Sequence, residues 1–298
     1  MFTGLHPHCQ EPALNHEPND FVLTATCVDR PGIVHAITGF LVEQGANISE
    51  CQQFEDPTTG RFFIRLVFRC EQTPLEDLQD GFEAVALQFG MEWGLWPAGS
   101  PVRTLVLVSK LGHCLNDLLF RQQVGSLPLD IVAVASNHLT FQKTVATHDI
   151  PFHHVPITAA TKPVSEARIL ELVEEYDVEL VVLARYMQVL SDDLCRALQG
   201  RAINIHHSFL PSFKGARPYH QAHDRGVKLI GATAHYVTPD LDEGPIIEQD
   251  VARIDHTYSP EHMVVAGRDV ETQVLARALT WHAEHRVFLN GSSTVVLR

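Results

Sequence analysis

The chain has 298 residues, 45% hydrophobic and 19% charged, a balance that supports a sizeable folded core and lies far from disordered compositions. Its formal net charge of −14 argues against the basic stripe of a nucleic-acid binder, and no apolar run approaches the roughly 20 residues of a membrane helix. The length suggests two domains, and six cysteines with no C-x-x-C pair point to a reducing cytoplasm, without a disulfide framework or a metal site.

Residues 1–20 are polar, with neither a basic start nor an apolar stretch, and are expected to form a flexible tail and not a signal peptide. FVLTATCV at 21–28 reads as a strand. In the DRPG that follows, Asp29 suits an N-cap and Pro31 a first helical turn. Ile33, Ile37, Phe40 and Leu41 then recur at helical spacing until Gly45, a C′ glycine. ANISECQQFED and RFFIRLVF (61–68) read as a hairpin across PTTG. Thr73-Pro74-Leu75-Glu76 has the form of a capping box before a helix carrying Leu75, Leu78, Phe82, Val85 and Phe89 on one face. MEWGLW supplies a last strand. The order β-α-β-β-α-β over 21–96 is the ferredoxin-like plan, and the Pro/Gly/Ser cluster at 97–102 reads as a linker.

Beyond it the rhythm changes. RTLVLVS (103–109), DIVAVAS (130–136), LVVLA (180–184) and RAINIH (201–206) are apolar runs of the kind buried on both faces of a parallel sheet. Helical patterns near 115–124, 165–176 and 191–198, and a strand near 152–155, fall between them. The alternation predicts a doubly wound, mostly parallel Rossmann-like α/β domain over 103–298. IGATAHYV (230–237) and PIIEQDVARI (245–254) add two strands joined by TPDLDEG. A long helix over 261–284 and enough chain for one hairpin follow.

INIHHSFLP, at 203–211, places Asn204 and His206 two apart at a strand end, so both side chains share one face. An amide and an imidazole there can both hydrogen-bond one carbonyl oxygen, and both bonds strengthen as negative charge develops on it. Taken alone, the pair reads equally well as a capping Asn and a surface His. The loop Leu241-Asp242-Glu243-Gly244-Pro245 alone reads as an acidic turn, although an Asp beside a His would orient the ring.

Together, and with SFKGARPYHQA and GATAHYV between them, these motifs resemble the 10-formyltetrahydrofolate formyltransferase superfamily, whose N-x-H and LD-x-GP patterns match Asn204, His206 and Asp242 over about 103–290. DRPGIV and GANI within 21–96 resemble an ACT domain, and the combination resembles the formyltetrahydrofolate deformylase family. The resemblance implies a hydrolase that releases formate and tetrahydrofolate, with Asn204, His206 and Asp242 catalytic. The folate would lie between Arg185, Tyr186, Met187, Gln188, Val189 and Leu190 on one side and Val237, Thr238 and Leu241 on the other. Without the resemblance, Met187, Val189 and Leu190 read as core residues of the next helix. His207, which points to the opposite face from His206 if the strand persists and otherwise could pack or line the access route, is an accessory candidate, as are His235 and Lys110, and Lys214 and Arg217 could meet the folate's glutamate tail. The folate is substrate, and no cofactor is implied.

Transfer of formyl to an amine acceptor remains the alternative. The Gly-rich phosphate-binding turn of ribonucleotide-formylating relatives is here Ser109-Lys110-Leu111-Gly112-His113-Cys114-Leu115, with one glycine, which argues against that acceptor. The acidic charge and the short segment after the last helix argue against tRNA. A non-catalytic folate- or amino-acid-responsive regulator is a third possibility. Asp29, Gly32 and Asn47 match the ACT ligand loop, which implies an amino-acid effector or else a pure oligomerisation module, and in either case a homo-oligomer.

Overall fold

The computed structural model describes residues 19–210 and 218–298. Most of the expected tail, Lys214 and Arg217 lie outside the described residues.

The first sheet contains β1 (Asp20–Val28), β2 (Asn47–Asp56), β3 (Arg61–Arg69) and β4 (Glu92–Pro97) in the order β2-β3-β1-β4, with every pairing antiparallel. Two helices, α1 (Ile33–Glu43) and α2 (Leu75–Phe89), cover one face. The ferredoxin-like order expected for 21–96 is therefore present, with β1 starting one residue earlier.

Both expected side-chain caps are absent. Gly32, at φ 97°, is the N-cap of α1, and Asp29 makes no capping bond. Pro74 is the N-cap of α2, and the Thr73 hydroxyl turns instead to the Gln44 side chain, 3.3 Å away. Gly45, at φ 70°, does close α1: its N–H donates to Val42 O and that of Ala46 to Leu41 O.

The second sheet contains β5 (Val102–Val108), β6 (Leu129–Ser136), β7 (Phe152–His154), β8 (Leu180–Leu183), β9 (Ala202–His206), β10 (Leu229–Tyr236) and β11 (Ile246–Arg253), in the order β11-β10-β9-β8-β5-β6-β7. The five strands from β5 to β9 pair in parallel, and β10 and β11 run antiparallel at one edge. Strict alternation explains the apolar runs. Val106 and Val108 of β5 face α3 (His113–Gln123) and α8 (Pro260–Ala283), whereas Leu105 and Leu107 face α5 (Lys162–Glu175) and α6 (Asp192–Ala197). Short helices α4 (Gln142–Ala146) and α7 (Pro218–Asp224) complete the fold, and the sequence reading did not anticipate α7. Ser191 and Ser259 cap α6 and α8 through their side chains.

The chain ends in a hairpin, β12 (Val287–Asn290) and β13 (Ser293–Val296), which returns to the first sheet. This return explains why β3 is buried on both faces. Phe62, Ile64, Leu66 and Phe68 face the helices, while Phe63 packs edge-on against Phe288 at 5.6 Å. Arg65 is 1% exposed; it donates to Glu284 O at 2.9 Å and pairs with Glu50 at 2.8 Å. Arg286 shares Glu50, at 3.1 Å, and Trp96 of β4 stacks on His285 at 3.8 Å with the rings 7° apart.

Phe63→Ala is expected to cost about 3–5 kcal/mol, because the ring is fully buried at this seam. Chemical denaturation followed by fluorescence reads the shift; a loss below about 1 kcal/mol would mean that the hairpin does not need this ring.

Candidate active site

Three neighbouring strands bring the candidate residues together. Asn204 pairs across to Leu183 of β8 on one side and to His235 of β10 on the other, and His206 lies opposite Thr233. The parallel strands β8 and β9 end here, at the carboxyl edge where open α/β sheets bind ligands. A cavity of about 250 Å³ opens at this edge. Asn204, His206, His207, His235, Asp242, residues 185–190, Val237, Thr238 and Leu241 all line it. Lys110 is exposed and does not.

The turn after β10 swings Asp242 back over β9. His206 Nδ1 lies 3.2 Å from Asp242 Oδ1 and donates to it, while His206 Nε2 is buried without a hydrogen-bond partner among the described residues. Burial alone would push the Asp242 carboxyl up, but the hydrogen bond and charge of His206 outweigh it and hold the group below its usual range. Gly244 makes this approach possible: a Cβ there would meet Tyr236 O at 1.7 Å. Asp242 itself sits at φ 57°, a left-handed conformation that an L-residue keeps only under constraint.

His235 orients Asn204. Its Nδ1 is 2.9 Å from Tyr236 O, an acceptor only, so Nδ1 carries the hydrogen. Burial lowers the His235 pKa, so the neutral ring presents Nε2 as an acceptor, and Asn204 Nδ2 donates to it over 3.2 Å. The second Nδ2 hydrogen remains for a ligand.

The condition for placing His207 opposite His206 is not met. The strand ends at His206, so the alternation does not continue, and the His207 ring stacks on that of His206 at 4.9 Å, lining the same cavity. Burial first, then the charges of Arg185 and His206, lower its pKa to about 3.

Residues 185–190 form a loop and not the start of a helix. Met187 is 55% exposed and Val189 56%, while Tyr186 and Leu190 tuck into the core behind. The Ser109 hydroxyl, at the end of β5, accepts from Met187 N at 3.1 Å and donates to Asn137, pinning the loop. Arg185 opens it at φ 64°. Its guanidinium approaches Glu271 at 3.4 Å, and that buried carboxylate also accepts from His113 Nε2 and Tyr219 Oη, each at 2.7 Å. Burial pushes Glu271 up, but the His113 bond and the Arg185 charge prevail and hold it below the usual carboxylate range. The sequence reading missed Glu271, although a signal existed: it lies in the stripe of Gly267, Val270, Val274, Leu275 and Ala278 that α8 buries. His113, Cys114 and Glu271 bring possible metal ligands within 4.8 Å of one another, but the Arg185 cation already shares the carboxylate.

The fold is that of a formyl transferase domain preceded by an ACT domain. The Formyl transferase family matches residues 102–279, and the ACT domain family residues 21–80. A formyltetrahydrofolate deformylase of Corynebacterium sp. (strain P-1) is 54% identical, over 93% of this chain and 98% of its own length. The crystal structure of the formyltetrahydrofolate deformylase of Burkholderia mallei, 52% identical, superimposes with a TM-score of 0.91 over 94% of this chain and 100% of that one. Glycinamide ribonucleotide transformylase 1 of Symbiobacterium toebii, 29% identical, gives 0.63 over 69% of this chain and 98% of that one. The chain belongs to the formyltetrahydrofolate deformylase family.

Protonating His207 is unfavourable in the fold, so the unfolded chain binds protons first as pH falls below about 6.5, and stability is lost from there down to about 3. His282, lowered to about 4, and His285, lowered to about 3, act in the same direction through burial. His207→Gln is expected to flatten part of this slope. Denaturation midpoints across that range test it, and an unchanged slope would sink the assignment.

Proposed function

We propose that the chain hydrolyses 10-formyltetrahydrofolate to tetrahydrofolate and formate at the cavity built by Asn204, His206 and Asp242. The observation that carries this reading is His206: one ring nitrogen is held by Asp242, and the other is buried and unpartnered beside the Asn204 amide. A formyl oxygen between His206 Nε2 and Asn204 Nδ2 meets two donors.

Water adds to the formyl carbon. The oxyanion that forms is held by the Asn204 amide and the protonated His206 ring, whose charge Asp242 balances. The proton lost by the attacking water passes to the Asp242–His206 pair, and His206 returns one to N10 as the C–N10 bond breaks. Formate leaves with the water's oxygen. The apolar, half-exposed Met187, Val189 and Leu241 offer walls for the flat pterin, and the backbone of residues 185–190 offers its polar edge hydrogen bonds. His235 is a positioning residue acting through Asn204. The folate is the substrate, and the proposal includes no cofactor.

The enzyme works in the cytoplasm and adjusts the one-carbon folate pool. It divides into an ACT-like part over 21–96, a linker over 97–102 and a catalytic part over 103–298, and forms a homo-oligomer. An amino-acid effector would bind at Asp29, Gly32 and Asn47; the exposed Asp29 and Asn47 and the open turn at Gly32 support this.

Asn204→Ala, His206→Ala and Asp242→Asn are each expected to lower kcat for formate release by on the order of 10²–10³ with the fold retained. Formate production from 10-formyltetrahydrofolate without any amine acceptor is the assay. Undiminished release by His206→Ala would remove the central role of this ring.

A further inference from the structure

The hydrolysis makes no direct use of the Glu271 cluster, yet it adjoins the reacting groups. Three elements converge on this one carboxylate, which is 1% exposed: α3 through its first residue His113, the loop after β8 through Arg185, and α7 through Tyr219. Arg185 and His207 both line the cavity, and the Tyr219 ring lies 6.4 Å from that of His207, which stacks on His206. The helix has made room for the phenol: at Gly267, one turn before Glu271, a Cβ would come within 2.1 Å of Tyr219 Oη. The cluster is thus a filled wall behind Arg185 and His207, its carboxylate hydrogen-bonded to His113 and Tyr219 and 3.4 Å from Arg185 Nε, which makes no hydrogen bond among the described residues.

Transfer of a formyl group to an amine needs more than the donor site. The amine nitrogen must reach the formyl carbon, and the body of the acceptor needs room next to it. Here Arg185 and His207 line one side of the cavity, with Glu271 behind Arg185, and an acceptor body placed on that side would have to displace Arg185 from a buried carboxylate. Water needs no such room.

We propose that the Glu271–His113–Tyr219 cluster is the specificity determinant of this site, closing it to amine acceptors and leaving water as the only nucleophile. The proposal rests on the hydrolase reading above. If the wall is hollowed, a small amine takes the place of water: its nitrogen bonds to the formyl carbon, the C–N10 bond breaks, and a proton from the amine ends on N10.

The test incubates the full chain with 10-formyltetrahydrofolate, with and without glycinamide, and measures formate and N-formylglycinamide by mass spectrometry. Wild type is expected to give formate and no formylated amine. Tyr219→Ala should raise the ratio of formylated amine to formate by on the order of tenfold or more. Tyr219→Phe, which keeps the ring but not the hydroxyl, should stay at the wild-type ratio, separating filling from hydrogen bonding. If Tyr219→Ala does not fold, His113→Ala hollows the same wall and is read in the same way. Formylation of glycinamide by wild type, or an unchanged ratio in a folded, hydrolysing hollowed variant, overturns the proposal. No formate from wild type before glycinamide is added overturns the hydrolase reading and this proposal with it.

Discussion

The contact between His206 and Asp242 is the constraint on which the site depends. The two residues lie in different segments, one at the end of a parallel strand and one in the turn after its antiparallel neighbour. Only the reversal of β10 beside β9 brings them within 3.2 Å. Gly244 lets the turn press onto the Tyr236 carbonyl, Asp242 accepts a left-handed backbone, and His235 uses that same carbonyl to fix its own tautomer. A single backbone oxygen thus underlies both the orientation of the carboxylate and that of the Asn204 amide.

Backbone strain is stored on both sides of the cavity, at Arg185 and at Asp242. Each has an oppositely charged or hydrogen-bonding partner at the site: Arg185 has Glu271, Asp242 has His206. Both lie where a substrate would be enclosed, and both belong to loops anchored by residues far away in sequence. Ser109 performs the same service for Met187 from the end of β5.

Much of this was legible in the sequence, for identifiable reasons. Apolar runs such as LVVLA carried the parallel strands because both faces of that sheet are covered. The period-2 rule put Asn204 and His206 on one face, and both line the cavity. The same rule does not reach His207, because it holds only while the strand lasts. Local caps failed at Asp29 and Thr73, where a glycine at positive φ and a proline took the N-cap positions. Met187 and Val189 looked like core because hydropathy cannot tell a packed side chain from one lining an open cleft. Glu271 was hidden by being a lone acid within an apolar stripe, its partners supplied by a strand end, a helix start and a short helix that no local pattern connects.

The doubly buried strand β3 bears on the order in which the molecule can be completed. Its helix-facing side is closed by α1 and α2, which are made within the first third of the chain. Its other side carries Phe63 and Arg65, and their partners Glu284 and Phe288 lie more than 200 residues further along the chain. During translation the N-terminal sheet therefore emerges half-finished, presenting a fully apolar ring, and a guanidinium that has Glu50 but not yet the Glu284 carbonyl, until residues 284–288 are made. The smaller sheet is made before the larger one but sealed only after it, and the residues that seal it continue directly from the helix that holds Glu271.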